Sequence, residues 1–247
     1  LRRPAHRIHG ARLAVPAPLL LLPGMMCDGR LWRHQIRALD DRVTTLVGDI
    51  TRGDRVVDIA ANVLASAPAR FALAGLSMGG IIALEMWRQA PERIERLALL
   101  DTNYRADPPQ RRTLRERQIQ AVKSGALLDV LRDELKPNYL AAVHRHNSEL
   151  LEEVLAMGMD LGAAVFVSQS LALRDRPDSE STLATIACPT LLLCGDEDTL
   201  CPVDIHRAMA VKIPAAELVV VTHCGHLSTL EQPDAVNRAL ARWLAAA

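Results

Sequence analysis

The sequence predicts an α/β fold in which a doubly wound, mostly parallel sheet is interrupted by an inserted helical segment. Three observations support this prediction. Short apolar runs alternate with segments of helical periodicity, the runs are apolar throughout, and the alternation stops over one long central stretch. Strands that are apolar on both sides are typical of a parallel sheet covered by helices on both faces, and repeated strand and helix alternation builds such a sheet.

Six apolar runs are the candidate strands. In chain order they are LLLL (Leu19 to Leu22), VTTLV (Val43 to Val47), FALA (Phe71 to Ala74), RLALL (Arg96 to Leu100), TLLLC (Thr190 to Cys194) and ELVVV (Glu217 to Val221). Because parallel strands need crossover connections, we expect helices between them and right-handed crossovers.

Helical periodicity is clear in three of the connecting segments. The first has apolar residues at three-and-four spacing, namely Val56, Ile59, Ala60, Val63 and Leu64. A second helix is predicted to open at GLSMGG (75–80) and to end before Pro91, and the last to begin near Pro233. Proline is tolerated in the first helical turn but stops a helix that reaches it from the N-terminal side.

The central stretch from Asn103 to about Ile186 is polar and helix-rich, and no strand-like run occurs in it. The chain then returns to the sheet at CPTLLLC. We therefore predict a core of residues 1–102 and 187–247 and a helical cap inserted at 103–186, over the carboxyl edge of the sheet. An independent second domain is the alternative, and the return to the same sheet favours the insertion.

Charge and composition restrict the class of partner. The chain has 247 residues, with 29 lysines and arginines balanced by 29 aspartates and glutamates. A balanced surface gives no global field to attract nucleic acid or an anionic membrane. No apolar run reaches the roughly 18 residues that a membrane-spanning helix needs. We expect a small-molecule substrate, with neither nucleic acid nor membrane as partner.

The five cysteines are scattered along the chain and odd in number. This pattern indicates free thiols in a reducing compartment, so we expect a cytoplasmic location. The segment LRRPAH at the start contains the paired arginines of an export signal, but Pro16, Pro18 and Pro23 interrupt the apolar stretch that follows it, and no small-residue cleavage site is present. Export is therefore not predicted.

A group of cysteines and a histidine late in the sequence is a candidate metal site. The residue types are ones that bind zinc, and the residues are Cys194, Cys201, His223 and Cys224. Their spacing contains no CxxC pair and no repeated ligand spacing, which structural zinc sites usually have. We predict no metal and no organic cofactor.

Chemically active residue types follow three of the predicted strands. Ser77 lies in GLSMGG after FALA, Asp198 lies in GDED after TLLLC, and His226 lies in HCGH after ELVVV. In an open α/β sheet, reacting groups lie beyond the carboxyl ends of the strands, so these three side chains share one edge. A serine between glycines on a tight strand-to-helix turn has an exposed hydroxyl, although glycine and serine are also ordinary turn residues.

On these motifs the chain resembles the α/β-hydrolase superfamily, in particular small bacterial capped serine hydrolases. The marks are LLLLPGMMCDGRLW, GLSMGG, CGDEDTLCP with its GxxDxxxP form, and CGHLSTLEQP with its GHxxxxExP form. The resemblance covers nearly the whole chain. Pro23 departs from it, because relatives commonly have a histidine before the glycine of the oxyanion loop. The detailed shape of that loop is therefore open, whereas its backbone amide is not affected.

The resemblance implies a role for each of the three residues. Ser77 is the expected nucleophile, His226 the base that takes its proton, and Asp198 the acid that fixes the imidazole tautomer. Two rivals remain. His223 is three residues before His226, and Asp101, after RLALL, occupies the position from which some hydrolases of this fold supply the acid.

The oxyanion of a tetrahedral intermediate needs hydrogen-bond donors. The resemblance assigns them to two backbone N–H groups, that of Met78 after the nucleophile and that of Met25 in the loop after the first strand. The side chains of both methionines are expected to be apolar wall.

The expected activity is hydrolysis of a small to medium carboxylic ester through an acyl-enzyme. The same residues could instead serve a carbon-carbon bond hydrolase, an enol-lactonase or a perhydrolase, and a non-catalytic binding protein on this scaffold is a further alternative. Arg111, Arg112, Arg115 and Arg117 are interpreted as a solvated helix surface. Arg174 and Arg176 are expected to form salt bridges, with contact to a substrate carboxylate as the alternative.

Overall fold

Six parallel strands form the sheet of the computed structural model, which describes residues 17–246. They are β1 (Leu19–Leu22), β2 (Thr45–Val47), β3 (Phe71–Leu76), β4 (Ile94–Leu100), β5 (Thr190–Gly195) and β6 (Ala216–Val221). Their spatial order is β2-β1-β3-β4-β5-β6, and every neighbouring pair is parallel. The predicted fold class is confirmed. The paired arginines of LRRPAH and the outermost parts of the predicted core, residues 1–16 and 247, lie outside the described residues.

Helices occupy most of the connections. They are α1 (Arg33–Leu39), α2 (Val56–Ser66), α3 (Met78–Gln89), α4 (Pro109–Lys123), α5 (Leu127–Asp129), α6 (Ser148–Arg174), α7 (Glu180–Leu183), α8 (Val203–Lys212), α9 (Ser228–Glu231) and α10 (Pro233–Ala245). A π-helical turn at Val130–Leu135 follows α5, and 3-10 turns occur at Gly29–Trp32, Pro91–Arg93 and Lys136–Asn138. None of the helices within residues 17–246 has the length and apolar character needed to cross a bilayer.

The leucines of β1 show why the central strands are apolar on both sides. Leu20 and Leu22 pack into one apolar core with α2 and α3, whereas Leu19 and Leu21 pack into a second core with α1 and α10 on the other face. All four are buried. Successive side chains of a strand point to opposite faces, so a strand covered on both faces must be apolar at every position.

The two edge strands differ from this expectation. Leu46 and Val47 of β2 and Val220 of β6 are exposed, because each edge strand has a neighbour on one side only and incomplete helical cover. β2 also begins at Thr45 rather than Val43. The amide of Val43 donates to the carbonyl of Leu39 (3.1 Å), which keeps that residue in the turn after α1.

The chain between β4 and β5 is helical, with α4 packed against α6. A small apolar core of its own includes Val122, Leu131 and Phe166 and also contacts Met26 in the loop after β1. Gly162 breaks α6 with φ 80° and ψ 175°. A φ in this range favours glycine, which is why the helix changes direction at that residue.

Candidate active site

Ser77 lies on a sharp turn between β3 and α3. Its backbone has φ 54° and ψ −115°, a conformation that costs a residue with a side chain about 1–3 kcal/mol. Neighbouring groups hold it there: the Ser77 amide donates to the carbonyl of Leu100 (2.9 Å), and the Thr102 hydroxyl donates to the Ser77 carbonyl (2.6 Å). The turn presents the Ser77 side chain at the carboxyl edge of the sheet.

Glycines around Ser77 are required by close backbone approaches. A Cβ on Gly75 would lie 2.3 Å from the carbonyl oxygen of Gly79, and a Cβ on Gly79 would lie 2.2 Å from that of Leu22. Carbon and oxygen atoms that are not bonded do not approach this closely. The glycines of GLSMGG therefore permit strand, turn and helix to pack against β1, beyond any role as generic turn residues.

A chain of hydrogen bonds joins Ser77 to two other predicted residues. The Ser77 Oγ lies 2.8 Å from His226 Nε2, and His226 Nδ1 lies 2.8 Å from Asp198 Oδ2. Asp198 Oδ1 accepts two backbone amides, those of Leu200 (2.8 Å) and Cys201 (2.9 Å). His226 and Asp198 are both buried. The arrangement allows the imidazole to accept the serine proton while the carboxylate fixes the ring.

The pKa values in this chain are set by burial and by the neighbouring charges. Burial disfavours the imidazolium form of His226, but the negative charge and hydrogen bond of Asp198, with further contributions from Asp101 and Glu231, outweigh it and raise the pKa of His226. Burial opposes ionisation of Asp198, yet the His226 charge and the hydrogen bonds to Asp198 lower its pKa. Both shifts favour an ionised Asp198 that stabilises a protonated ring.

Asp101 lies behind this chain and does not bond to His226. Its φ is 45°, and its carboxylate accepts the amide of Gly195 (3.1 Å) and the hydroxyl of Ser228 (2.5 Å). Burial, followed by the charge of Asp198, raises its pKa. Asp101 thus joins the end of β5 to the start of α9, and of the two candidate acids Asp198 is the one in contact with the imidazole. The other rival, His223, is exposed.

Met25 and Met78 carry the two backbone N–H groups that the sequence resemblance assigns to the oxyanion. Within residues 17–246 neither amide donates to a protein acceptor, and both residues line the same cavity as Ser77. The loop is held from α6, because the Met26 amide donates to Gln169 Oε1 (2.9 Å). With Pro23 in place of the usual histidine, the loop still forms a turn closed by the Cys27 amide and the Gly24 carbonyl (3.1 Å).

The backbone of residues 139–142, here called the 139–142 segment, is bonded to the loop that carries His226. The His226 amide donates to the Tyr139 carbonyl (2.7 Å), and the Ala141 amide donates to Glu231 Oε2 (2.7 Å). Glu231 Oε1 also accepts the Gly225 amide (3.0 Å). The Tyr139 ring lies 5.8 Å from the imidazole, centroid to centroid. The central helical stretch therefore helps to position His226.

A cavity of about 310 Å³ opens beside Ser77. One part of its wall is apolar and the rest is polar and charged. The lining side chains include Ile81, Leu114, Leu135, Leu173, Leu200, Asn103, Asp107, Arg111, Arg115, Gln118, Glu134 and Arg176. The volume is near the lower end of the roughly 300–1,000 Å³ found for small-molecule sites.

The interpretation of the α4 arginines as a solvated surface is wrong for Arg115. Arg115 is 8% exposed and pairs with Asp107, whereas Arg112 and Arg117 are exposed. The helical spacing of α4 is a sequence signal for this burial. The buried residues of the helix follow that spacing and are Arg115, Gln118, Ile119 and Val122. Arg174 forms salt bridges with Glu116 and Asp175, and Arg176 forms one with Asp107.

The five cysteines are unpaired, as the sequence predicts, and all of them are buried. Asp198, Cys201 and His226 each place one potential metal-ligating atom within 4.8 Å of the others. Asp198 and His226 already bond to each other, and burial together with the charges of Asp198 and Asp101 raises the pKa of Cys201. The ligand atoms of Asp198 and His226 are therefore already engaged in the hydrogen-bonded path to Ser77.

Comparison with known proteins gives consistent matches. The sequence model described as "Alpha/beta hydrolase family" matches residues 19–239. A protein from Azorhizobium caulinodans named "Putative carbamate hydrolase RutD" is 30% identical over 255 residues, covering 95% of this chain and 92% of the relative. Its namesake from Klebsiella pneumoniae is 27% identical, covering 93% and 92%. A thermophilic esterase from Thermogutta terrifontis has a TM-score of 0.85 at 28% identity, covering 94% of this chain and 90% of that one.

Proposed function

We propose, from the premise that this chain belongs to the α/β hydrolase family and is a hydrolase, that it cleaves small to medium carboxylic esters through Ser77, His226 and Asp198. The observation that carries the proposal is the unbroken hydrogen-bonded path from the serine hydroxyl to the buried carboxylate, 2.8 Å at each step. The residues of this path lie beside a cavity of the size of a small ester.

In the first half of the reaction, His226 Nε2 takes the proton of the Ser77 hydroxyl as its oxygen attacks the ester carbonyl. The carbonyl oxygen becomes an oxyanion, and the amides of Met25 and Met78 are proposed to donate to it; one such donor contributes roughly 100- to 1,000-fold in rate. The proton on His226 then passes to the leaving alcohol, and an acyl-enzyme remains on Ser77.

In the second half, a water molecule occupies the place of the alcohol. His226 removes its proton, the water oxygen attacks the acyl carbonyl, and collapse of the second tetrahedral intermediate returns the proton to Ser77 and releases the acid. The charge of Asp198 stabilises the imidazolium in both halves. This cycle uses only side chains and backbone amides of the chain and water.

We include in the proposal that residues 103–186 act as a helical cap on the core made by the described parts of 1–102 and 187–247. Leu114 and Gln118 of α4 line the cavity together with Ser77. The 139–142 segment contacts the loop of His226, as described above. A cap of this kind limits access of water to the acyl-enzyme and sets the shape of the acyl pocket.

A second candidate is hydrolysis of a carbamate, which the name of the relatives favours, or of the chemically related amide bond. The attacking machinery would be the same, but the leaving group would be an amine. Because an amine leaves only after protonation, this reaction depends more strongly on proton return from His226.

The test combines covalent labelling and turnover. Wild-type protein, Ser77→Ala and the control Ser181→Ala, which removes an exposed hydroxyl, are treated with a fluorophosphonate probe and assayed on 4-nitrophenyl esters of increasing acyl length. We expect labelling and turnover in wild type and the control, and neither in Ser77→Ala. Absence of labelling in folded wild-type protein would overturn the proposal, and labelling without turnover of any ester would favour the carbamate or amide candidate.

A further inference from the structure

Two buried arginines of the cavity wall share a single carboxylate. Arg115 Nε lies 2.5 Å from Asp107 Oδ2, and Arg176 NH1 lies 2.7 Å from Asp107 Oδ1. The side chains are 10%, 6% and 2% exposed for Arg115, Arg176 and Asp107. Each carboxylate oxygen thus serves one arginine, and the group of three carries a net charge of +1 where water is largely excluded.

The positive charge is not balanced elsewhere in the cavity wall. Arg111, one turn before Arg115 on α4, also lines the cavity and has no carboxylate within 4.0 Å among the described residues. The other acidic lining residue, Glu134, pairs with Arg117 (2.7 Å) and accepts from Gln118 (3.0 Å). The cavity lining therefore contains three arginines and two carboxylates, and Glu134 is already paired with Arg117, which lies outside the lining.

The pKa of Arg176 is lowered, chiefly by burial. Burial lowers its pKa, the charge of Asp107 raises it, and the charges of Arg115 and Arg111 lower it further. A buried cation without a full counter-charge is costly, by several kcal/mol in general. An anion brought by the substrate would remove much of this cost, which makes the cluster a site with a preference for negative charge.

Arg115 has hydrogen-bonding capacity left beyond its bond to Asp107, and it lines the same cavity as Ser77. The described contact of its NH1 nitrogen is the thioether sulfur of Met25, at 3.8 Å. A thioether is a weak acceptor, whereas a guanidinium suits a carboxylate, which it can bind with two parallel hydrogen bonds. Because Arg115, Met25 and Ser77 line one cavity, a carboxylate bound by Arg115 would belong to a substrate that also reaches Ser77.

We propose that the preferred substrates are half-esters of short dicarboxylic acids, with the free carboxylate of the acyl chain bound by Arg115 and Arg111. Arg176 acts as a positioning residue, because it holds Asp107 and Asp107 holds Arg115. This inference rests on the proposed function. It adds a substrate class to the same site.

The test compares matched pairs of substrates by titrating released acid at constant pH. Monoethyl succinate, glutarate and adipate are paired with ethyl butanoate, pentanoate and hexanoate, which carry a methyl group in place of the carboxylate. The quantity measured is the ratio of kcat/KM for the half-ester to that for its neutral partner. We expect wild type to favour at least one half-ester, because hydrogen bonds between charged groups contribute about 1.5–3 kcal/mol, or roughly 10- to 100-fold.

The variants are Arg115→Gln, Arg111→Gln and the control Arg112→Gln, which changes an exposed arginine of the same helix. We expect the ratio to fall roughly 10- to 100-fold in Arg115→Gln, to fall less in Arg111→Gln and to stay at the wild-type value in Arg112→Gln. A structural role of Arg115 would lower both rates and leave the ratio unchanged. Should Arg115→Gln fail to fold, the exposed Arg111→Gln still tests the inference.

Fluorophosphonate labelling of the same samples separates the two proposals. Wild type that labels at Ser77 but cleaves both members of every pair equally would overturn the substrate class and leave the proposed function standing. Folded wild type that does not label would overturn the proposed function itself. Inhibition of ethyl hexanoate cleavage by adipate, lost in Arg111→Gln, would be independent support for the carboxylate site.

Discussion

Replacing Asp198 with asparagine should inactivate the enzyme through the tautomer of His226. In the structure, Asp198 Oδ1 accepts the amides of Leu200 and Cys201, so the oxygen of an asparagine must occupy that position. Its NH₂ group then faces His226 Nδ1, 2.8 Å away, where the carboxylate oxygen was. An NH₂ group donates, so Nδ1 must accept and the ring proton moves to Nε2. A protonated Nε2 cannot take the proton of Ser77.

The size of the effect follows from the cost of the alternative orientation. Turning the amide so that its oxygen faces His226 leaves two backbone N–H donors unpaired against an NH₂ group, at about 1–3 kcal/mol each. The sum of about 2–6 kcal/mol corresponds to roughly 30-fold to more than 10,000-fold in rate. Loss of the negative charge that stabilises the imidazolium adds to this. We therefore expect kcat to fall roughly 1,000- to 10,000-fold in Asp198→Asn.

The measurement is kcat for the best ester of the wild-type panel at pH 8, with thermal unfolding of each variant recorded alongside. Asp196→Asn is the matched control, since Asp196 is exposed and its Oδ1 accepts a single backbone amide, that of Cys224 (3.3 Å), which asparagine can also accept. It should change kcat by less than about twofold. If folded Asp198→Asn keeps more than a tenth of wild-type kcat, the tautomer argument is wrong.

Two further predictions concern pH and packing. The pKa of His226 is raised, and the ring must be neutral to act as base. We therefore expect kcat/KM to fall as the pH falls, with a midpoint above the ordinary histidine pKa of about 6.5. A midpoint below about 6 in the pH-rate profile would contradict the charge balance described for this ring. Gly79→Ala should lower the free energy of unfolding by about 3 kcal/mol or more, because the added Cβ meets the carbonyl oxygens of Leu22 (2.2 Å) and Pro23 (2.6 Å). Gly125→Ala is the control, because Gly125 has a φ of +97° but no atom within 4 Å of an added Cβ, so it should lose only the conformational cost of about 1–2 kcal/mol. The free energy of unfolding is measured by chemical denaturation. Equal decreases in the two variants would refute the packing argument.

The sheet and the residues at its carboxyl edge could be predicted because their signals are local. The apolar runs of β1, β3, β4 and β5 are buried on both faces, and each strand lies within two residues of its predicted bounds. The parallel arrangement then brings the segments after β3, β5 and β6 to one edge, which is why residues as far apart in sequence as Ser77 and His226 could be grouped before any coordinates were known.

The central helical stretch could be predicted only in outline. The burial of Arg115 follows the helical spacing of α4, but its pairing with Asp107, which lies outside α4, has no signal within that helix. The break of α6 at Gly162 likewise leaves no mark in the helical periodicity around it. Gln169, whose side chain holds the Met26 amide, is one polar residue in a long helix and becomes meaningful only once α6 is known to cross the loop after β1.

The bonds between the 139–142 segment and the loop of His226 restrict how ligands reach the serine. If the helical stretch lifted away on this side, the hydrogen bond from the His226 amide to the Tyr139 carbonyl would break and the imidazole would lose its backbone anchor. Opening there would switch off proton transfer. We therefore expect these bonds to stay closed while ester enters and acid leaves, so that His226 keeps its position throughout the turnover cycle.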